Sequence, residues 1–254
     1  MNNTQQYLTE LSILTWRGIM RYRRIPQLLI FSSIQPIMFL MLFTFVFGGA
    51  VMGTTERYIN YIVPGIFVQV VLFGAIQTSV GLAEDLAKGM TDRMRSLPIS
   101  RTSLLAARTI ADALRNALVA IILISTAFLF GYSFSQGIIN GILGLLLAIL
   151  FGYTISWVSV VSALYAKNAE IANSLGFLFI FPLVFASSAF VPVATMPSWL
   201  QGFATYQPVS VVITAVRSLT LDGPNAFIIY ALGWIGLLLL IFIPLSTYLY
   251  NKSG

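Results

Sequence analysis

Two long stretches of this chain contain no charged residue, and they limit its architecture more than any other feature. Asp, Glu, Lys and Arg are all missing between Arg115 and Lys167, and again between Asp222 and Lys252. A membrane-crossing helix needs about 20 apolar residues, so the first stretch can hold two crossings and the second one. Only 9% of the 254 residues are charged, against roughly 25% in soluble domains. The chain is therefore predicted to be an all-α membrane protein.

Six apolar segments are predicted to be transmembrane helices. Their approximate bounds are 27–48, 59–83, 104–132, 138–166, 171–191 and 226–250. Four prolines fall inside or at the edge of these segments, at Pro36, Pro64, Pro182 and Pro244. Membrane helices accept proline where neighbouring helices satisfy the freed carbonyl groups. The prolines therefore do not argue against spans.

The basic residues predict the orientation of the spans. Twelve of the fourteen Lys and Arg residues lie in the N-terminal segment, after span two and at the start of span three, after span four, or in the tail. The two exceptions are Arg57 and Arg217. Because basic residues are concentrated on the cytoplasmic side of membrane proteins, both termini are predicted to be cytoplasmic in a multi-pass protein of the plasma membrane.

Residue types that are missing exclude several activities. The chain has no Cys and no His, which excludes disulfides, Cys/His zinc sites and imidazole acid–base catalysis. The phosphate-binding pattern G-x-x-x-x-G-K-[ST] is absent, so no ATPase site of its own is predicted. Spans one, four, five and six carry no mid-span acid, which argues against a proton- or sodium-coupled secondary transporter. The net charge is +6, but the basic residues lie beside the apolar segments and do not form a single patch. A nucleic-acid partner is therefore not expected.

Residues 1–26 are predicted to form an amphipathic helix at the cytoplasmic membrane surface. On a helical wheel one narrow stripe holds Glu10, Arg17, Arg21 and Arg24. The broad opposite face holds Tyr7, Leu8, Leu11, Leu14, Ile19 and Tyr22. Two interpretations remain open, one in which the helix anchors the first span and one in which it also transmits force.

The segment from 84 to 101, called here the connector, is the most charged part of the chain. Its 18 residues exceed the two to six needed to join two helices. Its beginning is helix-like, and Pro98 ends any helix just before it. The composition alone allows either an ordinary solvated loop or a docking element.

Two further patterns concern packing and the outer side. Span four places Gly137, Gly141, Gly144, Ala148 and Gly152 on one face, which favours close helix packing within the subunit, and a dimer contact is a second possibility. Residues 191–223 are apolar but broken by prolines, so short re-entrant or interfacial helices are expected there. Trp199 and Tyr206 suit the headgroup level.

Two blocks of sequence resemble the permease subunit of ABC type-2 exporters, and most closely the daunorubicin-resistance type of drug exporter. The first block is Arg93-Met94-Arg95-Ser96-Leu97-Pro98-Ile99-Ser100-Arg101, followed by Ala107-Arg108 and Ala111-Asp112 with Arg115. The second is Phe190-Val191-Pro192, then Pro197-Ser198-Trp199-Leu200, Gln207-Pro208 and Arg217. The resemblance covers essentially the whole chain and implies a single transmembrane domain over residues 1–254.

The resemblance implies a role for each block. The connector would contain a coupling helix that docks on a separate ATPase subunit, through Glu84, Asp85, Lys88, Gly89, Arg93, Met94, Arg95, Leu97, Pro98 and Arg101. Met94 and Leu97 would be apolar anchors within a charged rim. Two re-entrant half-helices would form an extracellular gate with Phe190, Pro192, Pro197, Trp199, Pro208 and Arg217. Arg217 is expected to be either an interfacial anchor or a contact to substrate.

Asp112 and Arg115 lie three residues apart and are expected to form an ion pair near the cytoplasmic end of span three. Such a pair lowers the cost of charge in the membrane. Its role is expected to be structural, and no catalytic or metal-binding residue is predicted.

The predicted function is that of a permease subunit in an ATP-driven exporter of an amphipathic drug, lipid or glycoconjugate. Two copies of the chain would work with two ATPase subunits, which would hold the ATP and Mg, while this chain binds no cofactor. The alternative is a membrane scaffold or assembly factor without transport. A membrane enzyme is a third and weaker alternative, because no clustered Asp, Glu or His supplies a site.

Overall fold

The computed structural model describes residues 3–89, 100–166 and 168–252, and its fold is all-helical. Helices make up 87% of it, and no strand occurs among these residues. The α-helices of the described residues are α1 Asn3–Arg24, α2 Gln27–Leu42, α3 Gly48–Met52, α4 Thr55–Ala87, α5 Arg101–Leu129, α6 Gly137–Tyr165, α7 Ala169–Phe185, α8 Ser198–Tyr206, α9 Pro208–Arg217 and α10 Phe227–Lys252. Two π-helical turns, Phe43–Phe47 and Ser218–Asp222, continue α2 and α9.

Five helical stretches are long and apolar enough to cross a membrane. They are Leu29–Met52, Thr55–Ala87, Thr102–Leu129, Gly137–Tyr165 and Phe227–Lys252. At the place of the fifth predicted span lies α7, an apolar helix of 17 residues, shorter than the roughly 20 residues that a full crossing needs. All four prolines expected in the spans lie inside helices.

Helix α4 is the centre of the bundle. It packs against α5, α6, α7 and α9. In its most apolar window 78% of the residues are buried, against 11% for α10. Since α10 is at least as apolar, its exposed surface must be covered by lipid or another subunit, whereas α4 is shielded by its own chain.

The row of small residues on α6 serves packing within the chain. A side-chain carbon added at Gly152 would lie 2.5 Å from Cβ of Val71 in α4, and one added at Gly144 would lie 3.0 Å from the Thr220 side chain. Both glycines thus let neighbouring elements approach closely. This confirms close packing within the subunit at Gly144 and Gly152, whereas a carbon added at Gly137 would meet nothing within 4 Å and one at Gly141 would meet the Phe134 ring of the preceding turn.

Helix α1 packs along α5, where a side-chain carbon added at Gly18 would lie 2.7 Å from Cβ of Ala111. Only part of the predicted apolar face of α1 is covered by the rest of the chain, because Leu11 and Leu14 are half-buried while Leu8 is exposed. Glu10, which belongs to the predicted charged stripe, faces the bundle. Its carboxylate contacts the start of α5, since α5 covers that side of the helix.

The segment between α7 and α10 is broken into short helices, as its prolines predict. Pro197 immediately precedes α8, and Pro208 is the first residue of α9. Proline suits this position because its missing N–H has no partner in the first helical turn. Helices α8 and α9 have 9 and 10 residues, far too few to cross a bilayer.

Candidate functional site

A cavity of about 360 Å³, called here the inner cavity, lies at the end of the bundle that carries the connector. Its walls come from Tyr22 of α1, the start of α2, the second half of α4, the first half of α5 and Phe177 of α7. This volume lies within the range of roughly 300–1,000 Å³ found for small-molecule sites. The space is therefore large enough for a drug-sized molecule or for the headgroup of a lipid.

The inner cavity has an exposed mouth and a buried polar floor. Phe31, Gln35, Gln77 and Phe177 are exposed at the mouth. The buried lining residues with polar side chains are Gln69, Asp112, Arg115 and Asn116. Placing polar side chains inside membrane segments costs free energy, and such residues usually pair with other polar groups or have a function. This floor is therefore the strongest candidate for a binding site.

Asp112 and Arg115 lie one turn apart at this floor, but their contacts differ from the expected ion pair. The hydroxyl of Tyr22 donates a hydrogen bond to Oδ1 of Asp112. Arg115 donates to the Gly74 carbonyl at 2.8 Å and to Oδ1 of Asn116 at 3.0 Å. Among the ion pairs of the described residues, none joins Asp112 directly to Arg115. Tyr22 contacts both residues, since the Arg115 guanidinium lies 5.7 Å from the centre of its ring.

The surroundings of Tyr22 keep it a hydrogen-bond donor. Burial raises the pKa of its phenol, and the neighbouring Asp112 carboxylate raises that pKa further. A neutral hydroxyl can donate to Asp112, whereas a phenolate would repel it. Tyr22 therefore links α1 to the polar floor, a contact that the sequence did not suggest.

The two ends of the connector are tied to the bundle. Asp85 at the end of α4 forms an ion pair with Arg108 of α5. Glu84 and Lys88 pair at 3.6 Å on the exposed surface. Gly89 has a φ of +64°, a conformation that glycine adopts most easily, and it lies in the turn that follows the end of α4.

The remaining residues predicted for ATPase docking cannot be placed. Arg93, Met94, Arg95, Leu97 and Pro98 lie outside the described residues. Arg101 is the first residue of α5, and its side chain is not among those described. The docking role of the connector therefore stays a prediction.

Glu10 of α1 holds the start of α5, directly after the connector. One carboxylate oxygen accepts hydrogen bonds from the Ser100 N–H at 3.0 Å and from the Ser103 hydroxyl at 2.9 Å. A carboxylate at a helix N-terminus satisfies a free N–H group and interacts well with the helix dipole. A displacement of this end of the connector would therefore also displace α1.

We expect the Glu10→Gln variant to loosen the first turn of α5 by about 1 kcal/mol, because the charged acceptor is lost while the shape is kept. Hydrogen exchange of the amides in residues 100–104 measures this. The Glu56→Gln variant, at an exposed position in the first turn of α4, is the control and should leave those amides unchanged. Equal exchange in both variants would refute the capping role.

At the opposite end of the bundle, the chain after α7 is held by a group of side chains called here the outer clamp: Tyr58, Tyr61, Gln207, Ser210 and Arg217. Arg217 donates to the carbonyls of Tyr61 and Ser188, both at 3.0 Å. The hydroxyls of Tyr61 and Tyr58 donate to the carbonyls of Ser188 and Phe190 at 2.9 and 2.8 Å. Gln207 donates to the Leu183 carbonyl at 2.7 Å.

Arg217 is half-buried and donates its hydrogen bonds to backbone carbonyls of its own chain, and its role as an interfacial anchor or a substrate contact stays a prediction. Its guanidinium lies 3.9 Å from the centre of the Tyr61 ring, a cation–π arrangement. Burial lowers the pKa of Arg217, and the neighbouring Tyr61 and Asp222 oppose that shift. The side chain stays a cation, and its hydrogen bonds join a carbonyl inside α4, that of Tyr61, to one in the turn after α7, that of Ser188.

The other residues of the predicted gate divide between buried and exposed positions. Phe190 is buried and stacks on Phe43 and Phe185, with ring centres 4.6 and 5.1 Å apart. Phe43 opens the π-helical turn after α2, and such turns are frequent at functional sites. Trp199 is 79% exposed, and its position at the headgroup level stays a prediction. Pro192 precedes the 3₁₀ turn Val193–Thr195.

These features define a class of protein. The chain is a multi-span helical membrane protein with a polar-floored cavity near one end and a closed, clamped segment at the other. The sequence profile of the ABC-2 type transporters matches residues 9–221. The chain belongs to this family, and within it has the character of a membrane permease subunit.

Individual relatives cover almost the whole chain. The daunorubicin resistance ABC transporter permease protein DrrB1 of Streptomyces coeruleorubidus is 32% identical over 94% of this chain and 85% of its own length. The probable doxorubicin resistance ABC transporter permease protein DrrC of Mycobacterium tuberculosis is 26% identical, with coverages of 88% and 81%. The putative transport permease ycf38 of Cyanophora paradoxa is 27% identical, with coverages of 84% and 74%.

Proposed function

We propose that this chain is the permease subunit of an ATP-driven exporter and that the connector couples it to a separate ATPase subunit. The observation that carries the proposal is the family match over residues 9–221, which includes the connector and the outer clamp together. ATP and Mg are held by the ATPase subunit, and this chain binds no cofactor.

The tied ends of the connector support the coupling step. The Asp85–Arg108 pair joins the end of α4 to α5, and Glu10 joins α1 to the start of α5. A displacement of the connector would therefore move α1, α4 and α5 together. Because packed helices move as rigid bodies, ATP-driven closure of the ATPase dimer shifts the walls of the inner cavity.

Two copies of the chain form the working unit. Gln35 and Gln77 are exposed at the mouth of the inner cavity, within otherwise apolar spans. An amide without partners in hydrocarbon costs about 2 kcal/mol or more. This face is better matched to a second copy or to a water-containing path between copies than to lipid.

The distribution of basic residues supports the proposed topology. With the connector in the cytoplasm, both termini are cytoplasmic and the outer clamp faces outward in the plasma membrane. Helix α7 with the segment after it is the fifth of six spans, and α8 and α9 form the re-entrant outer gate. Helix α1 is the interfacial helix, with exposed Ile13, Trp16 and Arg17.

The cargo is an amphipathic molecule moved outward. Relatives named for resistance to daunorubicin and doxorubicin support a drug-like amphiphile. The mixed wall of the inner cavity supports the same class, because Phe31, Phe73 and Phe177 stand beside glutamine and charged side chains. Such a wall favours a molecule with an apolar body and a polar head.

The test is a pull-down of an ABC ATPase subunit from the same organism, produced together with this chain. Deleting residues 93–101 is expected to abolish recovery of the ATPase while membrane insertion is retained, because the docking element is gone. The control is the Arg23→Ala/Arg24→Ala variant, which removes two exposed cationic side chains at the end of α1 and should retain the ATPase. Recovery of the ATPase with the deleted chain would refute the coupling assignment.

A further inference from the structure

A stripe of three charged side chains on α5 faces the inner cavity. Arg108, Asp112 and Arg115 follow one another at helical spacing, and all three line the cavity. In each of them one side-chain atom is buried and has no hydrogen-bond partner among the described residues. These atoms are Nε of Arg108, Oδ2 of Asp112 and Nε of Arg115. Buried charged groups rarely leave such capacity unused, and here two donors flank one acceptor.

The charges around the cavity balance. Arg108 pairs with Asp85, which leaves one negative group, Asp112, and one positive group, Arg115, at the floor. Both are at least nine-tenths buried, with 5% and 7% exposure. A ligand with a net charge would leave one of these groups facing a like charge in a weakly screened site. A zwitterionic headgroup, which carries one positive and one negative group, would pair with both Asp112 and Arg115.

The apolar side of the cavity completes the match. Phe73 and Phe177 lie with ring centres 5.6 Å apart, and Phe31 is exposed at the mouth. These rings offer a surface for a chain or ring system, while the charged floor lies deeper.

We propose that the inner cavity binds an amphiphile with a zwitterionic head, whose cationic group contacts Asp112 and whose anionic group contacts Arg115. Only the statement that this amphiphile is exported cargo rests on the proposed function. The binding itself is a property of the isolated chain.

Three amphiphiles with the same chain length test the proposal on the purified protein in a neutral detergent. Lysophosphatidylethanolamine has a zwitterionic head, lysophosphatidylglycerol an anionic one, and a long-chain alkylamine a cationic one. The zwitterion is expected to bind about tenfold more tightly than either of the others, the difference that one charge-assisted contact makes. Equal affinity for all three would overturn the proposal.

Two variants assign the charges. Asp112→Asn is expected to remove the preference for the zwitterion over the anion, and Arg115→Gln the preference for the zwitterion over the cation. Ser125→Ala, on the exposed side of the same helix, is the control and should keep both preferences. If either variant weakens all three amphiphiles equally, the assigned contacts are wrong.

Phosphoethanolamine without a chain distinguishes an amphiphile site from a site for soluble zwitterions. It is expected to bind at least a hundredfold more weakly than the lysolipid, because it lacks the apolar part that the three phenylalanines contact. Comparable binding would overturn the amphiphile assignment. Since no ATPase is present in these measurements, their failure leaves the coupling proposal untouched, and failure of the pull-down leaves this proposal untouched.

Discussion

The Arg217→Met variant is expected to lose about 3 kcal/mol of stability and most of its transport activity. Methionine fills a similar volume but cannot donate to the carbonyls of Tyr61 and Ser188, which accept from the guanidinium. Hydrogen bonds from a charged donor contribute roughly 1.5–3 kcal/mol each, and buried acceptors left without partners add to the loss. The segment after α7 would then be held mainly by the two tyrosine hydroxyls and Gln207.

Arg57 offers a matched control, because it is the other arginine of the predicted outer side and is exposed. The apparent Tm in detergent, followed by tryptophan fluorescence, should fall by several degrees for Arg217→Met and stay unchanged for Arg57→Met. Arg217→Lys is expected to fall between them, since it keeps the charge but loses the fork of donors. Equal Tm values for Arg217→Met and the unchanged protein would show that the outer clamp does not depend on this side chain.

The architecture could largely be predicted from hydropathy, charge and proline positions. The charge-free stretches predicted α6 and α10, and the prolines of residues 191–223 predicted short helices there. These signals are local, because a helix must satisfy its own backbone and a proline breaks it wherever it stands. Helix α7 was less predictable, since it ends at Phe185 while the apolar segment predicted as a span, 171–191, continues through the turn at residues 186–190.

The contacts of individual side chains were mostly out of reach of sequence reasoning. A helical wheel places Glu10 beside Arg17, but it cannot tell that α5 covers that side of α1. The partners of Arg217 are backbone carbonyls, and these carry no sequence signal. The inner cavity did leave a trace, because Gln35, Gln69 and Gln77 lie in apolar spans, where uncharged polar residues indicate an interior or pathway face.

The Gly65→Ala variant is expected to lose about 2 kcal/mol of stability and to displace the chain after α7. A methyl group at this position would lie 2.4 Å from the carbonyl oxygen of Ala189 and 2.8 Å from its Cα. Both are backbone atoms of the segment that the outer clamp holds, so no side chain can rotate away. Overpacking of this kind costs about 1–3 kcal/mol, and the segment must move or α4 must shift.

Gly202 in α8 is the matched control, because an added methyl group there meets nothing within 4 Å. Gly202→Ala should be neutral or slightly stabilising, since alanine is the better helix residue. The displacement is measured in Ser188→Cys or Phe190→Cys backgrounds, labelled from the side of the outer clamp, and only Gly65→Ala is expected to speed the labelling. An unchanged labelling rate and Tm in Gly65→Ala would mean that α4 and this segment are not in close contact. The close approach of Gly65 to the Ala189 backbone, which lies beside the tyrosine and arginine hydrogen bonds of the outer clamp, would then be absent.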